Sequence, residues 1–143
     1  MVTLDRMGVQ RHAYYVEQLF RMECVKRGLT VLGPESNIYP YDWVVHDGKR
    51  KFWKVQVKTT SYLSNKHGSG YEKKTYRVKC GAGKGSGKTH YRELWVDVLA
   101  IYIGDQARWY LIPITKVTGN NVDLYRDGIN GYCRYAEAWE VFK

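Results

Sequence analysis

Tyr41-Asp42-Trp43-Val44-Val45-His46-Asp47-Gly48, followed by Phe52-Trp53-Lys54-Val55-Gln56-Val57-Lys58, is the stretch on which the fold turns. Two short runs rich in β-branched and aromatic residues flank Asp47-Gly48, a hairpin turn signal. Gln56 and Lys58 stand two apart, so on a strand their side chains share one face. Asp42 opens the partner strand. Folding back at Asp47-Gly48 brings a carboxylate, an amide oxygen and a lysine into one small volume. Those groups suit phosphodiester hydrolysis. Hard oxygen ligands hold Mg²⁺, which neutralises phosphate charge and acidifies its water. A lysine beside that water positions it and stabilises the developing charge.

Upstream, residues 8–27 read as a helix. Tyr15, Val16, Leu19, Phe20, Met22, Cys24 and Val25 give a broad apolar stripe, and Lys26-Arg27-Gly28 is a helix stop. Residues 29–32 form a short first strand. Downstream, residues 75–80 read as a fourth strand. Residues 95–103 form a long, nearly continuous apolar strand, interior to a sheet. Residues 108–112 make the last strand, ended by Pro113, and residues 135–142 a short terminal helix. This order predicts an α+β (α/β) chain, a mixed β-sheet flanked by helices. At 143 residues, one domain spanning 1–143 is expected, able to bury about 68–70% of its unfolded surface.

The composition narrows the classes. Hydrophobic residues make up 44% and aromatics 15%, which excludes a disordered chain. No apolar run reaches the roughly 18–20 residues of a membrane span, so no membrane partner is expected. Residues 1–6 carry no signal-peptide core, and Cys24, Cys80 and Cys133 are too few and too spread for a disulfide scaffold or a paired-cysteine zinc site. An intracellular setting is expected: cytoplasm or nucleoid, an organelle, or a phage-infected cell. The net charge is +9 and is unevenly spread. From Lys49 to Arg92 there are thirteen Lys and Arg against Glu72 alone, +12, leaving −3 for the rest. Trp53, Tyr62, Tyr71, Tyr76 and Tyr91 interleave that charge. Nucleic acid is the partner such a segment predicts, with Lys73, Lys74, Arg77, Lys79, Lys84, Lys88 and Arg92 as the contacts.

Tyr41-Asp42 and Val55-Gln56-Val57-Lys58-Thr59-Thr60 together resemble the core motif of PD-(D/E)XK nucleases. More narrowly, the chain is similar to the group I intron homing endonucleases of that superfamily, and more distantly to archaeal Holliday junction resolvases. In those families a glutamate eleven residues before the glycine ending the first helix joins the site. Here that residue is Glu17. Residues 96–102 and 109–113 also resemble core strands of the intron branch, so the resemblance spans about residues 8–115.

The resemblance implies a restriction-endonuclease-like core and a Mg²⁺ cofactor, with Mn²⁺ as a substitute. It implies Asp42 as the main metal ligand, with Gln56 and the backbone carbonyl of Val57 completing the protein's share. Glu17 would hold a second cation or a water on the first, and Lys58 would orient the nucleophilic water. It further implies double-stranded DNA as substrate and a homodimer or homotetramer, because one site cuts one strand. The sequence departs from the family pattern in two places. Tyr41 stands where proline is common, at a structural position. Gln56 replaces the usual Glu or Asp, a form known in the intron branch, and on this view a glutamate at 56 should be accepted.

Ala82-Gly83-Lys84-Gly85-Ser86-Gly87-Lys88-Thr89 fits a relaxed phosphate-loop pattern. Such a loop needs a long helix after it, and the next strand starts too soon. The segment is better read as a basic loop on a DNA backbone. His46, His67 and His90 have no metal-like spacing, and His12, one turn and a bit before Glu17, reads first as helix surface and second as a contributor to the cleft. A non-catalytic DNA-binding module remains the reading from another class.

The basic segment sets a salt dependence. Strand alternation turns roughly half of the thirteen cations away from any one duplex, leaving roughly five to seven phosphate contacts per protomer, each worth about −0.9 in the slope of log K against log salt. Lys84→Ala combined with Lys88→Ala should flatten that slope by about two units on any duplex sequence. Binding titrations against salt on two unrelated duplexes measure it, and an unchanged slope would remove this loop from the interface.

Overall fold

Gly28 ends the first helix by turning left-handed, φ 75°, a conformation that costs glycine little. The computed structural model describes residues 8–60, 63–65, 74–80, 95–125 and 131–143, with only the backbone described at 63–65 and Lys74. Helix α1 (Val9–Lys26) stops there, and the amides of Gly28 and Leu29 return to the carbonyls of Val25 and Cys24. Only Val16, Phe20 and Cys24 are buried. Their i, i+4, i+8 spacing is the narrow strip a helix lays on a flat sheet. Tyr15, Met22 and Val25, expected within the apolar face, are exposed instead.

Eight strands follow among the described residues: β1 (Thr30–Leu32), β2 (Trp43–His46), β3 (Phe52–Thr59), β4 (Leu63–Asn65), β5 (Lys74–Lys79), β6 (Val98–Ile103), β7 (Arg108–Pro113) and β8 (Asn121–Tyr125). Five form a mixed sheet in the order β1-β2-β3-β6-β7, in which only β3 and β6 run parallel. The mixed α+β architecture expected from the sequence is present. The fourth predicted strand, however, joins no part of that sheet. It is β5, the middle of a separate antiparallel sheet β4-β5-β8. The sequence reading passed over β4 and β8, which lack the long apolar run that marks a buried strand.

The layers explain why β6 is apolar throughout. Its Val98 and Ala100 pack with Val16, Phe20, Val55 and Val57 beneath α1. Leu99, Ile101 and Ile103 pack with Tyr76, Val78, Val122 and Leu124 of the second sheet. A strand covered on both faces loses the polar alternation of a half-exposed one. Phe20, fully buried, meets Trp109 edge-on at 5.5 Å and Trp139 at 5.8 Å. Burial of one such side chain contributes about 1.5–3 kcal/mol.

Two boundaries differ from expectation. The long strand begins at Val98, and Trp95 is helical. The C-terminal segment forms 3-10 turns at Gly131–Tyr135 and Trp139–Phe142, not an α-helix. Between them Glu137 is left-handed at φ 51°. Its amide donates to the Trp109 carbonyl, and Ala136 bridges to Tyr110, so the sheet edge captures the backbone that a helix would use. No helix among the described residues is long and apolar enough to cross a membrane.

Asp97 starts the parallel pair. Its Oδ2 accepts from the Lys54 amide at 2.8 Å, its own amide donates to the Lys54 carbonyl at 2.8 Å, and its carbonyl accepts from Ile114 at 2.9 Å. Asp97→Ala takes the carboxylate from the Lys54 amide and should cost about 1–3 kcal/mol, several degrees of Tm. Asp97→Asn, which keeps an acceptor oxygen, should recover most of that in thermal unfolding; equal losses in both variants would assign the effect to charge.

Candidate active site

Strand β2 covers β3 only as far as Val55, opposite Trp43. The Asp42 amide adds one more rung, donating to the Val55 carbonyl at 2.8 Å. Beyond that point no strand among the described residues lies beside this edge of β3, and the Val57 amide would be left without a ladder partner. The Asp42 carboxylate takes that place, its Oδ2 accepting from the Val57 N–H at 2.7 Å. The N–H and C=O of one strand residue point to the same edge, so the Val57 carbonyl also faces the Asp42 side. Oδ1 of Asp42 accepts no hydrogen bond within the described residues.

Gln56 and Lys58 alternate with the buried Val55 and Val57, as their spacing requires. The Gln56 Nε2 donates to the Pro40 carbonyl at 3.2 Å. A carbonyl can only accept, so this bond fixes which end of the amide carries nitrogen and leaves Oε1 for a ligand. Across the edge, the Trp43 indole donates to the Glu17 backbone carbonyl at 3.0 Å, tying α1 to the start of β2. Glu17, Asp42, Gln56, Val57 and Lys58 then line one cleft of about 410 Å³ with His12 and Thr60. A second cleft, lined by Tyr14, Tyr39 and Tyr41, also reaches Glu17 and Asp42.

Burial dominates the electrostatics. It pushes the Asp42 carboxyl above the ordinary carboxylate range, against the opposing effects of the Val57 amide and the Lys58 ammonium. Burial also raises Glu17; the Asp42 charge raises it further and Lys58 pulls it back. Two carboxyls raised by burial, one of them raised further by the other's charge, favour a cation between them. Every donor at this edge is oxygen: two carboxylates, one amide and one backbone carbonyl. That set fits a hard dication. Among the described residues no three of His, Cys, Asp and Glu gather, so the amide and the backbone oxygen must make up the number.

The structure thus brings together the four side chains singled out in the sequence. It also supplies two residues the sequence did not mark. Trp43 and Pro40 act through bonds to backbone atoms, which leave no pattern in a sequence. Of the two readings of His12, the structure favours the cleft, which this residue lines. Of the expected DNA contacts, Arg77 and Lys79 are exposed on β5, on either side of buried Val78. Arg77 is held by Asp123 on β8, at 2.9 and 3.3 Å. Lys74 sits opposite Asn65 in the ladder. Lys73, Lys84, Lys88 and Arg92, His67 and His90, and the phosphate-loop-like segment 82–89 lie outside the described residues. His46 stacks on Phe52 at 4.1 Å.

Residues 7–142 match the family model described as PD-(D/E)XK endonuclease. The fold is similar to that of a bacterial homing endonuclease, I-Ssp6803I, at 22% identity and a TM-score of 0.71, over 94% of this chain and 92% of that one. It is also similar to Hjc, a Holliday junction resolvase of the archaeal hyperthermophile Archaeoglobus fulgidus, at 14% identity and a TM-score of 0.50, over 81% and 85%. At these identities the likeness is one of fold. No curated protein matches the sequence.

The Pro40 contact reverses the sequence expectation for position 56. A glutamate there would set a carboxylate oxygen against the Pro40 carbonyl, acceptor against acceptor. Gln56→Glu should therefore lower cleavage about tenfold, the equivalent of one lost hydrogen bond with its repulsion. Single-turnover cleavage tests it; undiminished activity would leave Gln56 a ligand with no part in holding Pro40.

Proposed function

The chain belongs to the PD-(D/E)XK endonuclease family, and we propose that this member cuts double-stranded DNA with Mg²⁺, or Mn²⁺ in its place, as a site-specific homing endonuclease. The observation that carries this reading is the open edge of β3, where Glu17, Asp42, Gln56 and Lys58 share one cleft.

Asp42, the Gln56 amide oxygen, the Val57 carbonyl and Glu17 would hold the cation. A dication there supplies positive charge opposite the phosphate and acidifies water in the site. The remaining chemistry falls to the chain's own groups. The Lys58 ammonium, close enough to act on both carboxylates, orients the attacking water and stabilises charge developing on the phosphate. The Val57 amide keeps Asp42 in one orientation, and Gln56 keeps Pro40 and the turn into Asp42 in place. Arg77, Lys79 and the other cations of residues 49–92, Lys58 apart, position the duplex through its phosphates. One such site cuts one strand, so a homodimer or homotetramer makes the double-strand break. The fold similarity favours the homing reading over the junction-resolvase one, since the resolvase likeness is the weaker of the two. Cleavage of a four-way junction compared with linear duplex separates them, and metal-dependent nicking of any duplex excludes a non-catalytic binding module.

Lys58→Ala should lower cleavage by about 10²–10³ while leaving DNA affinity nearly unchanged, because its charge acts on the transition state. Asp42→Asn should abolish metal-dependent cleavage and weaken Mg²⁺ binding in calorimetry. More than a tenth of wild-type cleavage in the lysine variant would remove Lys58 from this role. The raised carboxyls also set a pH dependence. Activity needs them ionised, so it should fall with pH through a window above the ordinary carboxylate range near ~4, and added Mg²⁺ should move that limb to lower pH. Stability without metal runs the other way: the folded state favours the protonated carboxyls, so the metal-free protein loses stability as pH rises through that window. A cleavage limb unmoved by Mg²⁺ would count against these two carboxylates as ligands.

A further inference from the structure

Among the described residues, Nδ1 of His12 is the one buried side-chain polar atom with no hydrogen-bond partner. Buried polar atoms are nearly always paired, and an exception calls for a reason. This exception lies on the wall of the catalytic cleft. The residue is half-buried, and Nδ1 is the end of its ring shut away from solvent. A buried donor left unpaired is rarer than a buried bare acceptor. The proton therefore belongs on Nε2, and with Nδ1 shut away, Nε2–H is the group the ring offers to the cleft.

Its place along the cleft says what it meets. From Glu17 the helix runs back through Ala13 and His12 to Val9, while β3 runs on from Gln56 through Lys58 to Thr60, and all of them line the one cleft. His12 is five residues from Glu17, roughly 7–8 Å along a helix axis, an offset comparable to one nucleotide step on a DNA strand. The group of a nucleic acid found one step away is the neighbouring phosphodiester, whose oxygens only accept hydrogen bonds. We infer that His12 is a second phosphate-binding residue: its Nε2–H bonds the phosphodiester next to the scissile one and so sets where the strand lies relative to Asp42 and Lys58. This rests on the nuclease reading above.

The test combines a protein change with a DNA change. The cut site is first mapped on a plasmid. Duplexes are then made with a methylphosphonate, which removes the charged acceptor, at the phosphate on either side of the cut. Single-turnover cleavage is measured for wild type, His12→Leu, His12→Gln and His12→Asn, each checked by thermal unfolding. Wild type should lose about ten- to hundredfold on one of the two modified duplexes, the range for a hydrogen bond to a charged group. His12→Leu should lose a similar factor on natural DNA and be indifferent to that modification, without a fall in Tm, since it removes an orphaned atom. His12→Gln, whose amide reaches the Nε2 position, should recover much of the loss, and His12→Asn, which mimics Nδ1, should not. Equal sensitivity of wild type and His12→Leu to the modification, or rescue by Asn in place of Gln, would overturn the inference while the nuclease reading stands. Absence of any cleavage by the wild type would overturn both.

Discussion

The candidate site depends on one amide that its sheet leaves unpaired. Strand β2 gives out at Trp43, and β3 continues past it as an edge. A bare N–H at Val57 would be costly in a partly buried place, and Asp42 meets it with a carboxylate oxygen at 2.7 Å. That bond holds the main acidic group against the strand, turns the Val57 carbonyl to the same flank, and keeps water from the job. The remaining side chains need only reach this point. Glu17 comes from a helix pinned by Trp43. Gln56 and Lys58 come from β3 itself.

The site is electrostatically unfinished as the protein alone builds it. Two half-buried acids lie near each other with one lysine acting on both. Burial outweighs the attraction of Lys58 for both, which is what a cavity built for an extra positive charge looks like. A neutral amide at position 56 limits the cost, because a third carboxylate would raise the repulsion further. Its second role, holding Pro40, gives the glutamine a reason to be there that a search for charged ligands overlooks.

Much of this was legible in the chain. Helix α1, the β2–β3 pair and the apolar β6 each carry a period that burial imposes, and Glu17, Asp42, Gln56 and Lys58 carry a spacing that converges in space. What could not be read has a common cause. The second sheet, the 3-10 turns at the C-terminus, the Trp43–Glu17 tie and the Pro40 contact are all tertiary. They depend on backbone atoms offered by distant parts of the chain. Glu137 shows it well: residues 135–142 look helical until the Trp109 carbonyl claims the Glu137 amide. Arg77 likewise reads as a bare cation until β8 brings Asp123 beside it.

The parallel pairing of β3 with β6 bears on the order in which the molecule assembles. Asp42, Val57 and the β2–β3 hairpin meet across a short loop, and contacts of that kind form early. Val55 and Val98 meet only after the segment between them, which carries β4 and β5, has been looped out, and closing such a loop costs entropy before any contact repays it. The reactive edge is therefore drawn first and its rigid floor is laid last. Because closure cost grows only with the logarithm of loop length, the stretch between β3 and β6 can lengthen or shorten at little expense to folding. Evolution is thus free to remodel that stretch while the edge that carries Asp42, Gln56 and Lys58 stays as it is.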